Sequence, residues 1–159
     1  MPQALVIDGL AFARAGKSVA GVLSLTDMPR VAESGCSRAD VSYSVRGGIN
    51  SRGKPSLLIE ASGEVELVCQ RCLEPVALPI EVDSDLELCS DEVEIATAED
   101  DIDRVLAGDA MGVASLVEDE VLLALPMVAK HESCERAVGG TDKDRRSAFA
   151  VLAGLKKDQ

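Results

Sequence analysis

Residues 57–88 read LLIEASGEVELVCQRCLEPVALPIEVDSDLEL. Side chains alternate along the stretch with a period of two. Leu57, Ile59, Val65 and Leu67 share one side of a strand over 57–68, and Gly63 interrupts it and predicts a bulge. From Val76 to Leu88 the apolar residues Val76, Leu78, Ile80, Val82, Leu86 and Leu88 all share even parity, while Glu81, Asp83, Asp85 and Glu87 hold odd positions. That pattern is a second strand with an apolar face and an acidic solvent face. Pro79 has no N–H to give a ladder, so this strand is an edge strand or is distorted there. Cys69-Gln70-Arg71-Cys72 lies between the two strands, at the turn of a hairpin.

Upstream, Ala39 to Arg46 alternates in the same way, with Val41, Tyr43 and Val45 on one face and Ser42, Ser44 and Arg46 on the other. Residues 5–25 predict one or two strands, and 26–34, with Pro29, a short helix or turn. These elements make an antiparallel β-sheet or partly open barrel over about residues 4–88, in an α+β chain. Residues 90–112 are strongly acidic and sparsely apolar, which predicts a solvated linker with a single helical turn. Ser115 opens the clearest helix. Ser115 and Glu118 fit a capping box, and Val117, Val121, Ala124 and Leu125, widened by Leu122 and Leu123, form its apolar stripe. Pro126 ends it after Leu125. The expected organisation is one α+β domain over 1–135 and a basic, partly flexible tail over 136–159. Within that tail, 149–155 forms a short helix that docks by its apolar residues.

The chain has 159 residues, 47% of them apolar, too many for a disordered protein. Its only aromatic residues are Phe12, Tyr43 and Phe149, too few for a base-stacking platform. No apolar run is long enough to span a membrane, which takes about 20 residues, and no secretory or transit signal is expected. The net charge of −12 is segregated. Residues 1–80 carry eight acids and eight bases, residues 81–135 carry 17 acids and two bases, and residues 136–159 carry three acids and six bases. The acidic middle repels phosphate backbones and suits a basic partner, such as a ribosomal protein.

Five cysteines, an odd number, predict reduced thiols in the cytoplasm rather than a disulfide framework. Cys69-x-x-Cys72 and His131-x-x-Cys134 each space two donors for one tetrahedral ion, with fifty-eight residues between the pairs. Thiolate and imidazole suit zinc, and four protein ligands make a closed structural site with no open position for catalysis. Cys36 and Cys89 stand alone and read as core residues. A thiol-redox pair at Cys69 and Cys72 is the alternative, although a thioredoxin-like CxxC opens a helix and this one is followed by Leu-Glu-Pro and a strand. No P-loop, dinucleotide fingerprint, HExxH or GxSxG occurs, and no catalytic residue is assigned, so the chain reads as a non-enzyme.

The run Val68-Cys69-Gln70-Arg71-Cys72-Leu73-Glu74-Pro75 resembles the signature of the YceD family, the large ribosomal RNA subunit accumulation proteins. Residues 116–128 (LVEDEVLLALPMV) are similar to that family's second block. His131 and Cys134 follow where its H…C element stands, and 149–156 (FAVLAGLK) is similar to its C-terminal cluster. The first 56 residues carry no such likeness. The resemblance implies a cytoplasmic, non-enzymatic factor supporting synthesis, processing or accumulation of large-subunit ribosomal RNA. A ribosomal protein or assembly intermediate is the expected partner. The alternative is direct contact with ribosomal RNA through Arg71, Arg136, Lys143, Arg145, Arg146, Lys156 and Lys157.

Overall fold

A computed structural model describes residues 5–135. The core is a five-stranded sheet in the order β2-β3-β4-β5-β6, made by β2 (Ser18–Ser24), β3 (Arg38–Ile49), β4 (Pro55–Val68), β5 (Pro75–Cys89) and β6 (Arg104–Leu106). The first four strands pair antiparallel and β6 runs parallel to β5. The sheet is open, not closed into a barrel. A second ladder joins β1 (Val6–Ile7) to β7 (Met111–Gly112). The helices are α1 (Gly9–Arg14), α2 (Pro29–Glu33), α3 (Glu92–Ala96) and α4 (Val113–Ala124).

The alternation read from the sequence sets the two faces of the sheet. Val41, Val45, Leu57, Ile59, Val65, Val76, Ile80 and Leu88 are buried on one side, together with Phe12 of α1, Met28 and Val31 at α2, and Val113, Val117 and Val121 of α4. Glu60, Glu64, Glu81, Asp83 and Asp85 are exposed on the other. Pro79 is accommodated without distortion. The β5 residues that bond to β4 are the even-numbered ones, as the Cys69 N–H donating to the Glu74 carbonyl shows, so the ring of Pro79 lies on the outer edge.

Four expectations need correction. Gly63 is not in a bulge: pairing runs unbroken through Val41–Gly63 and Gly63–Ile80. A Cβ there would collide with the Asp40 carbonyl and stand 2.8 Å from Val41 Cα, so glycine is required by the close approach of β3. Glu87 is not on the solvent side. It is 1% exposed, with Asn50 Nδ2 donating to it at 2.9 Å and Arg104 Nε at 3.3 Å. Residues 90–112 are not simply a linker, because they contribute α3, β6 and β7 and carry Arg104 over Glu87. Finally, α4 starts at Val113, so Ser115 and Glu118 form no capping box. Gly112 is the cap residue, Leu123 faces solvent, and Glu118 is buried against α2. The tail and the short helix expected at 149–155 lie outside the described residues.

Candidate metal centre

The β4–β5 turn is built to present sulfur. Cys69 N–H donates to the Glu74 carbonyl and Leu73 N–H to the Cys69 carbonyl, both at 2.9 Å, which closes the six-residue connection tightly. Leu73, just after Cys72, has φ of 65°, and it is the one non-glycine residue with positive φ among the described residues. This left-handed step costs about 1 kcal/mol and turns the chain back into β5, leaving both cysteines on the inside of the turn.

The second pair arrives from the far end of α4. Pro126 stops that helix, and the following segment lies along the turn, where Gln70 N–H donates to the Ala129 carbonyl at 2.9 Å. The fifty-eight residues between the pairs therefore close on themselves through the sheet and α4. Cys69 Sγ lies 3.7 Å from Cys134 Sγ, and Cys72 Sγ lies 3.3 Å from His131 Nδ1. All four donor atoms lie within 4.8 Å of one another. In a tetrahedral zinc site with Zn–S of about 2.3 Å, ligand atoms sit about 3.8 Å apart, so the donor set fits one ion.

Three neighbours tune these donors. His131 Nε2 is 3.0 Å from the Pro75 carbonyl. A carbonyl only accepts, so Nε2 carries the proton and Nδ1 presents its lone pair to the cluster, the arrangement that orients imidazoles on metals. Arg71 donates through Nε to Cys134 Sγ and through Nη2 to the His131 carbonyl, each at 2.9 Å. Burial opposes ionisation of Cys69, but the backbone N–H groups of Cys72, His131 and Arg71 favour it and lower its thiol to about 5. The N–H of Glu74 favours the Cys72 thiolate, yet burial and the sulfurs of Cys69 and Cys134 push that thiol above the usual value. Three sulfurs this close repel one another when ionised, and a divalent ion would relieve the repulsion.

Cys69, Cys72, His131 and Cys134 are thus brought together as a group able to hold a metal ion. Arg71 belongs to the same cluster rather than to an open basic surface, a role signalled in the sequence only by its position between two cysteines. Arg136, Lys143, Arg145, Arg146, Lys156 and Lys157 lie outside the described residues. The Pro75 and Ala129 carbonyls have no signature in the sequence, being main-chain groups. Cys36 and Cys89 are both buried. Cys89 lies near Glu87 and Glu94, but Glu87 is already bonded to Asn50 and Arg104, and Glu94 is paired with Lys54.

A family model described as "Large ribosomal RNA subunit accumulation protein YceD" matches residues 57–156, a span holding the hairpin, α4 and all four candidate ligands. No solved structure matches the chain.

Proposed function

Since the chain belongs to the YceD family of large ribosomal RNA subunit accumulation proteins, we propose that it is a cytoplasmic, non-catalytic assembly factor. In this proposal Cys69, Cys72, His131 and Cys134 hold a structural zinc ion, and the chain acts by binding a basic ribosomal protein or an assembly intermediate of the large subunit. The observation that carries the proposal is the convergence of three sulfurs and one imidazole nitrogen within 4.8 Å. Four protein donors satisfy a tetrahedral ion and leave no place for substrate, so the ion's chemistry is to clamp the β4–β5 turn to the segment after α4. Three thiolates and a neutral imidazole around a divalent ion sum to one negative charge, and the Arg71 guanidinium on Cys134 Sγ balances it.

Charge favours a protein partner over direct RNA contact. Residues 81–135 carry 17 acids against two bases, a field that attracts Lys and Arg and repels phosphate. Arg71, the base that would have to reach RNA from this cluster, is committed to Cys134 and His131. A dithiol redox role is disfavoured by the complete burial of Cys69, since exchange needs access to sulfur.

The test is to purify the untagged chain from growing cells and measure its metal and its companions. One zinc per chain, with a large-subunit protein that stays bound after nuclease treatment, is the expected result. Association that vanishes with nuclease, or a chain that refuses zinc in reducing buffer, would overturn it.

A further inference from the structure

The bond from Gln70 N–H to the Ala129 carbonyl joins the β4–β5 turn to the segment after α4. Four large apolar side chains lie within three residues of that bond along the two segments, Val68 and Leu73 on the first and Met127 and Val128 on the second. All four are exposed, Met127 completely. Apolar side chains scattered singly on a surface are ordinary, but several gathered at one tight junction mark a surface for contact. Leu73 makes the same point by its backbone. Its φ of 65° favours Gly or Asn, and its side chain is 64% exposed. Neither the turn nor the core therefore asks for leucine there.

The chain itself supplies an occupant of matching chemistry. Cys134 Sγ accepts a bond from Arg71 on the turn, so Glu135, the last described residue, leaves from this junction. Thirteen residues, 136–148, lead from it to Phe149, Val151, Leu152 and Leu155. Even a random coil of that length spans about 20 Å, enough to reach the junction. Such a tether holds the apolar segment at an effective concentration on the order of millimolar, which places a free partner at a disadvantage. A second copy meets the further obstacle of a net charge of −12 on each chain. The charges around the two apolar groups are complementary. Arg145-Arg146 and Lys156-Lys157 bracket the segment, while Glu74, Glu132 and Glu135, against Lys130, are exposed at the junction.

We propose that residues 149–155 of the same chain dock on this junction, seating Phe149, Val151, Leu152 and Leu155 against Val68, Leu73, Met127 and Val128. The proposal goes beyond the assembly role and requires neither zinc nor a ribosomal partner.

The test uses the full chain with labelled methionine methyl groups, at two concentrations, followed by nuclear magnetic resonance. An Overhauser contact should link the Met127 methyl to the Phe149 ring. The amides of 149–155 should exchange at least about tenfold more slowly than in an unstructured peptide. Met127→Asp and Leu152→Asp should each return those amides to unstructured rates, while the amides of Ile59 and Val65 in the sheet stay protected. Met127→Leu should keep the segment slow. Should Met127→Asp unfold the sheet, the Overhauser contact in the wild type and the Leu152→Asp variant decide. Unstructured rates in the wild type would overturn the proposal. So would protection that survives both Asp variants, which would put the segment elsewhere. Slowing that grows with chain concentration would identify a second copy as the source of the segment, and slowing that needs added large-subunit proteins would assign the junction to a partner; either overturns the proposal. None of these outcomes touches the assembly role, which metal content and nuclease-resistant companions test separately.

Discussion

Arg30 donates to both carboxylate oxygens of Glu118, its backbone N–H to Oε1 at 2.6 Å and its Nε to Oε2 at 3.0 Å. Val31 N–H adds a third bond to Oε1 at 3.2 Å. Helix α2 begins at Pro29 behind Met28, whose side chain has no oxygen to cap it. Its free N–H groups are instead satisfied by a carboxylate from α4. Replacing Glu118 by Ala should lower stability by about 2 kcal/mol, the upper end of what a lost N-cap costs, and Gln should recover about half. Urea midpoints of the two variants check this, and equal midpoints for wild type and Ala would remove the cap from the account.

Gly63→Ala should be among the most damaging small substitutions in the sheet. Val41–Gly63 is a non-hydrogen-bonded pair, the closer of the two antiparallel spacings, and the added methyl meets backbone that cannot rotate away. A loss of about 2–3 kcal/mol is expected, within the range of overpacked cores. The same change at Gly48, where a Cβ meets nothing within 4 Å, is the comparison and should be nearly neutral.

Glu87 links stability to pH. Burial raises its carboxyl, but Asn50, Arg52 and Arg104 outweigh burial and leave it below the ordinary glutamate value of 4.5. Its contribution is therefore complete above that value and is lost as pH falls through the depressed one. Glu87→Gln should cost about 1.5–3 kcal/mol at neutral pH by removing a buried charge-assisted bond from Arg104, whose guanidinium keeps Asp100 as its other partner, and should flatten the acid limb of the stability profile. Chemical denaturation across the acid range measures both, and a variant with an unchanged acid limb would show that the linkage lies elsewhere.

Cobalt substitution reads out the metal centre. Three thiolates and one imidazole should give intense tetrahedral ligand-field bands and sulfur-to-cobalt charge transfer. Cys134→Ser should weaken the charge transfer, whereas Arg71→Met should keep the spectrum and weaken zinc binding about 10–100-fold, measured by competition with a chelating dye. Unchanged affinity in Arg71→Met would release that side chain for another role.

The β4–β5 hairpin was legible because a period-two pattern survives translation directly into faces, and only one register buries Leu57, Ile59, Ile80 and Leu88 together. The ligands were legible as two equally spaced pairs, since local spacing is a property of the chain itself. That the pairs meet was not legible. Their distance depends on how α4 lies against the sheet and where Pro126 releases the chain, and both are tertiary facts. The same limit explains Glu87 and Glu118. The sequence presents Glu87 on a solvent face and Glu118 in a helix cap, and each is buried because a base or a helix end from a distant segment folds over it. Alternation and spacing are encoded by neighbours along the chain. Burial of a charge is decided by a partner that the chain brings from elsewhere, because only the assembled pair offsets the cost of leaving water.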